Sequence, residues 1–314
     1  MKILITSIGK RIQLIQHLKK YFTVIGVDAS MDNAARDFVD GFYLVHRINE
    51  AEYVSDILDI CEKEEIDVMI PLYEREFGLL NDNRKLIESG RTKLMLSDNE
   101  VIDICNDKKN TQEFFRKYKI AAPRLYEECK KFPAIVKPRF GMGSKGVYEA
   151  EDREELAIFK RKTDNPIVQE KIEGEEYTID VLCDMKGRVI YAVPRLRIDV
   201  RSGEVAKSAT VSYSKPKGKK IVDSTMELME CLNREGTVRG PITVQCFYTP
   251  DERVVFIEIN PRFGGGVPLS FEAGADYGKA LCDMAQNIEV TPQIGNYKEL
   301  LMLRYDMAVF RQEE

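Results

Sequence analysis

Late in the chain an apolar run, VVFIEINPRFGGG (254–266), carries a carboxylate and a carboxamide two residues apart. Alternate side chains of a strand share a face, so Glu258 and Asn260 point the same way, with Phe256 and Val254 behind them. Two hard oxygen ligands at a strand end suit Mg²⁺ (or Mn²⁺), an ion held by one or two protein groups and completed by waters and phosphates. Gln245, in the partner strand ITVQCF, can face the same place. Arg262 follows where charge on a transferring phosphoryl group or an acyl phosphate needs neutralising. Gly264, Gly265 and Gly266 free the backbone for close approach to a ligand. The competing reading is an edge strand with a solvated tip; the polar pair interrupting a buried pattern argues against it.

A second constellation is IVKPRFGMGSKG (135–146). Lys137 ends an apolar strand, Arg139 follows a proline, and Gly141, Gly143 and Gly146 fit GxGxxG. That pattern alone is weak. A dinucleotide site needs a helix after the glycines, and VYEA is strand-like instead. A protein kinase needs HRD and DFG motifs, and neither occurs. A ligand-free hairpin turn is the plain alternative. A lysine placed beside glycines whose N–H groups can approach oxyanions favours nucleotide phosphate, with Ser144 in the same loop.

Next comes VQEKIEGEEYTIDV (168–181). Glu170 and Lys171 end an apolar strand, Gly174 breaks it, and Glu176 follows. Such a hinge can offer backbone groups to an adenine edge and a carboxylate to ribose hydroxyls; taken alone, a charged surface turn is the stronger reading. RLRIDVRSGEVAKSATV (195–211) carries Arg195, Arg197, Arg201 and Lys207 on strand-like sequence. Arginines suit carboxylate recognition. Arg201, Glu204 and Lys207 are the candidate acceptor contacts, against a solvated loop of mixed charge. Ser7, Gly9 and Lys10 after the first strand, and Glu74 after a later one, sit where open α/β sheets bind ligands.

The elements that must position these residues fall into three segments. Strand and helix alternate over residues 1–104, which indicates a parallel sheet with helices on both faces. Residues 105–175 read as a small α+β unit around the glycine loop. Residues 176–314 hold two hairpins, turning at 184–188 and 250–253, a helix over 219–235, and a strand-like LLMLRYDMAVF near the end.

The 314 residues carry a net charge of −5, without the cationic clustering that nucleic acid requires. The opening MKILITSIGKR lacks the pattern of a signal peptide, and no window suffices to span a bilayer. Seven dispersed cysteines without a CxxC pair read as reduced thiols of a cytoplasmic protein. With only His17 and His46 present, both expected at the surface or in a structural role, a His-based zinc site, a Ser-His-Asp triad and a phosphohistidine all lose support.

In this order, the three motifs IVKPRFGMGSKG, VQEKIEGEEYTIDV and VVFIEINPRFGGG resemble the ATP-grasp superfamily, most closely its carbamoyl-phosphate-synthase-like branch, over residues 105–290. The first hundred residues are similar to that family's preceding α/β domain. The resemblance implies an ATP-grasp fold of α/β and α+β character behind an N-terminal parallel-sheet (pre-ATP-grasp) domain. It implies ATP contacts at Lys108, Lys137 and the loop 139–146, and an adenine hinge at Glu170, Lys171 and Ile172, the last two through backbone groups. It further implies a ribose carboxylate at Glu176, metal positions at Gln245, Glu258 and Asn260, and phosphate stabilisation by Arg262. The activity implied is ATP- and Mg²⁺-dependent joining of a small carboxylate, such as an amino acid, to an amine through an acyl phosphate. The chain has room for one such half only, where carbamoyl-phosphate synthase subunits carry two, and it has no glutaminase-like domain. A carboxylate kinase and an ATP-binding regulatory subunit are the alternatives. A homodimer through the N-terminal half is compatible with the sequence.

Overall fold

The structure, a computed structural model, describes residues 1–141, 143, 145–201 and 203–312. Ser144 therefore lies outside the described residues.

The first segment runs β1 (Lys2–Ile5), α1 (Ile12–Leu18), β2 (Thr23–Asp28), β3 (Gly41–Leu44), α2 (Tyr53–Lys63), β4 (Val68–Ile70), α3 (Phe77–Asp82), α4 (Arg84–Ile87) and β5 (Lys93–Leu94). Its strands pair in parallel in the order β3-β2-β1-β4-β5. Ile3 and Ile5 pack with α1 on one face, and Leu4 packs with Ile57 and Phe77 on the other. This is the doubly covered sheet that near-continuous apolar strands require. α5 (Asn99–Asn106) and α6 (Lys108–Lys117) lead onward, so a boundary after residue 104 falls within α5. Asp107 ends α5 and caps α6, its carboxylate accepting from the Lys109 N–H.

β6 (Ala134–Pro138), β7 (Tyr148–Ala150), α7 (Arg153–Lys162) and β8 (Pro166–Glu170) form a small antiparallel sheet, ordered β7-β6-β8. Ala134, Val136 and Val168 face its own small core with Leu156 and Phe159 of α7. By alternation Ile135 and Lys137 face the other way.

β9 (Glu175–Cys183), β10 (Val189–Arg201), β11 (Glu204–Thr210), α8 (Pro216–Asn233), β12 (Gly240–Tyr248), β13 (Val254–Asn260), α9 (Pro268–Glu272), α10 (Tyr277–Ala285) and β14 (Leu301–Leu303) complete the chain. Their six strands form one antiparallel sheet, β13-β12-β9-β10-β11-β14. Both expected hairpins are present. α8 starts three residues before the expected 219, with Pro216 in its first turn, where a missing N–H costs nothing. The strand-like tail is a strand over only Leu301–Leu303. α9 and α10 went unforeseen, because the glycines before them hide helical periodicity in two short segments.

The alternation expected in β13 is interrupted. Gln245 stands opposite Glu258 but Cys246 opposite Phe256, so Ile257 is an inserted bulge residue. Val254, Phe256 and Ile259 consequently share the core beneath α8, together with Val244 and Cys246. Glu258 and Asn260 point to the opposite face, away from Phe256 and Val254. The bulge reconciles a buried apolar face with a polar pair at the strand end.

Candidate active site

The polar face of the large sheet, and the face of the small sheet that carries Ile135 and Lys137, form the two walls of the site. A cleft of about 450 Å³ lies between them, lined by Ile135, Gln169, Glu170, Lys171, Ile172 and Phe247 among others. Gln169 is 5% exposed, and its side-chain oxygen has no hydrogen-bond partner among the described residues. A buried acceptor left open costs free energy unless a ligand donor reaches it. Sequence reasoning missed Gln169, although its place next to Glu170 on an apolar strand was a signal. Glu170 joins the backbone of Arg124, its N–H donating to the Arg124 carbonyl at 2.9 Å. The Lys171 ammonium pairs with Glu149, and both residues line the cleft.

Farther along, Lys137 is 8% exposed and no hydrogen bond to its ammonium is present among the described residues. Burial pushes its pKa down from 10.5 to about 8; Glu258 opposes the shift and Lys108 adds to it. The Lys108 ammonium donates to the Gly141 carbonyl at 2.8 Å, and its N–H to the Arg139 carbonyl at 3.2 Å, so it anchors the base of the glycine loop. Arg139 is forked onto Asp107 at 2.8 and 2.9 Å, which commits its charge to the cap of α6 rather than to a ligand. Gly141, Gly143 and Gly146 all have positive φ, of 120°, 69° and 72°. A side chain there would be strained, which is the physical reason for glycine. The Gly143 carbonyl rests against Gly203, at the tip of the β10–β11 hairpin, leaving no room for a Cβ at residue 203.

Gln245, Glu258 and Asn260 are brought together by register: Gln245 lies opposite Glu258, and Thr243 opposite Asn260. Among the described residues none of the three side chains has a hydrogen-bond or ion-pair partner. One carboxylate and two amides, all uncommitted and all hard oxygen donors, fit an Mg²⁺ ion that keeps waters and phosphate oxygens in its shell. No cluster of three or more His, Cys, Asp or Glu exists among the described residues, so the amides are needed. Glu176 on β9 shares this face; burial raises its pKa, and Arg197 at 3.0 Å lowers it in part.

The acceptor candidates separate. Arg201 is 79% exposed in its side chain and reaches only Asp199 at 3.5 Å, so the structure does not bring it to the site. Lys207 alternates with Ser208 and Thr210, which face inward, and points to the other side of the sheet. Arg195 and Arg197 point in instead. Arg195 is 1% exposed, forked onto Asp180 at 2.6 and 2.9 Å, and one of its guanidinium nitrogens has no partner. Gly266 passes so close to that nitrogen that no Cβ fits. Glu204 does face the site: burial raises its pKa, but Lys10 at 2.9 Å and Arg304 at 3.1 Å outweigh it and leave the pKa lowered. Arg262, its side chain 13% exposed, is held by Glu74 at 2.7 Å. Arg11, half-buried beside Gly265, was missed by one position after Lys10.

Neither histidine is near. His17 stacks on Phe271 at 3.9 Å and accepts from the Gly278 N–H at 3.0 Å, and burial lowers its pKa to about 4. His46 pairs with Asp56 at the surface.

Residues 3–95 match a family model described as the PylC-like N-terminal domain. Carbamoyl phosphate synthase large chains are similar: that of Clostridium botulinum is 27% identical over 287 residues, covering 83% of this chain and 26% of its own. That of Sulfolobus acidocaldarius is 24% identical, covering 87% and 27%. The chain thus spans about a quarter of the length of these relatives. Among solved structures, the N5-carboxyaminoimidazole synthetase of Staphylococcus aureus complexed with ADP superposes with a TM-score of 0.72 at 16% identity, covering 96% of this chain and 79% of that one. The L-amino acid ligase of Bacillus licheniformis gives 0.70 at 17%, covering 93% and 77%. At these identities the superpositions speak for the fold alone. The model of the ATP-grasp domain matches residues 105–266, more than half of the chain and all three motifs, and the chain belongs to the ATP-grasp family.

Proposed function

We propose that the protein is an ATP- and Mg²⁺-dependent ligase that joins a small carboxylate to an amine through an acyl phosphate. The observation that carries this reading is a set of uncommitted groups: the Lys137 ammonium, near enough to Glu258 to feel its charge, and Gln245, Glu258 and Asn260, which strand register brings together. A buried cation and three free oxygen donors in such proximity are complementary to a triphosphate and its metal, and to little else. The ATP-grasp family match and the similarity to carbamoyl phosphate synthase large chains support the reaction class.

The roles follow the cleft from end to end. Ile172 and the Lys171 backbone, with Gln169, bind the adenine; Glu176 takes the ribose. Lys137, with Lys108 and the glycines at 141, 143 and 146, holds the phosphates, and Ser144 belongs to the same loop. Arg139 supports the loop through Asp107. Gln245, Glu258 and Asn260 hold Mg²⁺, which when bound neutralises phosphate charge and aligns the γ-phosphoryl group. A carboxylate oxygen of the acceptor attacks the γ-phosphorus and ADP leaves, with Arg262 stabilising the charge in transit. The amine then attacks the acyl carbon and expels phosphate. Residues 105–175 and 176–314 act as the two ATP-binding lobes, behind an N-terminal unit over 1–104.

The same reading places the protein in the cytoplasm, consistent with the seven cysteines all being free. No helix among the described residues is long and apolar enough to cross a membrane. It includes a homodimer through the N-terminal half, which sedimentation checks. The test of function is ADP and phosphate release with Mg·ATP against pooled carboxylates and amines. Release that requires one acid and one amine, and that is lost in Lys137→Ala and Glu258→Ala, supports the ligase. ADP release with the acid alone, yielding a stable acyl phosphate, would instead establish a kinase. Nucleotide binding without turnover in any pool would favour a regulatory subunit.

A further inference from the structure

Beyond the metal positions the site opens onto a group of cations drawn from three parts of the chain. Lys10 and Arg11 come from the loop after β1, Arg262 from the segment after β13, and Arg304 from the residue after β14. Among the described residues two carboxylates pair with them, and both are committed. The Glu74 Oε1 takes Arg262 at 2.7 Å. Of the Glu204 oxygens, Oε1 takes Lys10 at 2.9 Å and Oε2 takes Arg304 at 3.1 Å. Arg11 is left over. Its guanidinium has no hydrogen bond and no ion pair among the described residues, and it is half-buried and close to Arg262 and Arg304. Burial first, then Arg262, lowers its pKa from 12.5 to about 10. Gly265 supplies the space: a Cβ there would stand 3.3 Å from the Arg11 Nη1.

An unpaired, half-buried guanidinium beside other cations is repelled by them unless an anion joins the group. Four cations facing two carboxylates leave the pocket with an uncompensated positive charge of about two, by simple count. Arg262 is aimed at the phosphoryl group in transit. The charge on Arg11 is then left for an anion other than the phosphoryl group in transit.

We propose that the carboxylate substrate carries a second oxyanion, a carboxylate or a phosphate, and that Arg11 binds it bidentately while Lys10 and Arg304 frame it. The inference deepens the ligase reading and rests on it for the identity of the first carboxylate. Arg11 is then a specificity-determining residue: it selects dianionic acids. The fork geometry of a guanidinium suits either oxyanion, so the test must tell them apart.

The experiment is titration calorimetry of the full chain, with and without saturating MgADP, against two matched pairs. Succinate against succinamate removes a second carboxylate; 3-phosphoglycerate against glycerate removes a phosphate. Wild type, Arg11→Gln and Arg11→Lys are compared. The expected result is that one dianion binds about tenfold or more tighter than its monoanionic partner, the preference vanishing in Arg11→Gln and surviving in part in Arg11→Lys. Which pair shows it identifies the oxyanion. Equal binding of both members of both pairs, or a preference unchanged in Arg11→Gln, overturns the proposal. Thermal unfolding of the same variants separates binding from structure. Arg11→Gln is expected to melt no lower than wild type, whereas a merely structural arginine would lower the midpoint. MgADP binding in the same cells keeps the two readings apart: its failure in wild type would sink the ATP-dependent ligase and leave the dianion preference standing or falling by itself.

Discussion

A single buried ammonium shows how function and stability oppose each other here. Lys137 has a folded pKa of about 8 against 10.5 in the unfolded chain. With the folded value depressed, the charge opposes folding fully below pH 8, and the opposition fades as the pH rises from 8 to 10.5. A shift of that size corresponds to roughly 3 kcal/mol at most. Lys137→Met, which keeps the length and removes the charge, is therefore expected to raise the unfolding free energy at pH 7 by about 1–3 kcal/mol and to narrow the difference above pH 9. Denaturant titrations at both pH values check it. The same variant should lose about 10- to 100-fold in ATP affinity, the worth of a charged hydrogen bond. Glu258 has the complementary test. Its charge holds the Lys137 pKa up and supplies the one carboxylate of the proposed metal site. Glu258→Gln should raise the Mg²⁺ concentration needed for half-maximal turnover and lower kcat by on the order of a hundredfold. Unchanged Mg²⁺ dependence would remove Glu258 from the metal.

At the scale of elements, strands do the positioning, and small departures from regularity decide which side chains enter the site. The parallel sheet, both hairpins and the glycine loop were legible because each is written in local periodicity and turn residues. The Gln245, Glu258 and Asn260 set was legible for the same reason, although its stated continuity with Phe256 was not: a one-residue bulge leaves no mark in the sequence of a single strand. The arginines of β10 illustrate the remaining difficulty. Arg195, Arg197 and Arg201 share a period of two, but a register irregularity between Arg197 and Asp199 intervenes, and Arg201 ends exposed at the hairpin tip. Arg195, buried against Asp180, could be distinguished only by knowing that Asp180 lies across the sheet from it. Gly266 is the counterpart on the loop. Its missing side chain is what lets the segment after β13 cross Arg195, so Gly266→Ala is expected to destabilise the fold by about 1–3 kcal/mol through overpacking. Gly274→Ala is the control: a Cβ there meets nothing within 4 Å, but at φ +114° it carries only the backbone strain of a non-glycine residue. Chemical denaturation of the pair separates steric overlap from strain.

Across the whole molecule, one core joins what the chain order separates. Ile3, Ile5 and Leu14 of the N-terminal unit pack in the same cluster as Leu182 and Ile190 of the large sheet and Phe271 and Tyr277 of the last helices. The N-terminal unit is thereby fixed against the large sheet, and its strand ends reach the candidate site. The clearest contribution is Glu74, which follows β4 and receives two guanidinium nitrogens of Arg262 at 2.8 and 2.7 Å, 188 residues away in sequence. Both side chains are only 13% exposed, so neither partner is easily replaced by water. Replacing Glu74 by Gln leaves Arg262 charged, mostly buried and free to turn toward the phosphates or toward Glu204. The stability cost should be at most about 3 kcal/mol, the lower end for breaking a buried pair. The kinetic cost should exceed it if Arg262 meets the phosphoryl group as proposed, because misplacement by an ångström costs on the order of 10²-fold in rate. Binding of ATP should be nearly untouched, since the proposed mechanism assigns the adenine to the cleft at Gln169 and Ile172 rather than to Arg262. A fall in kcat with an unchanged KM for ATP, together with a lower unfolding midpoint, is the expected pattern for Glu74→Gln. A loss of midpoint with kcat intact would show that the bridge serves only to join the two parts of the chain, and that Arg262 finds its position without it.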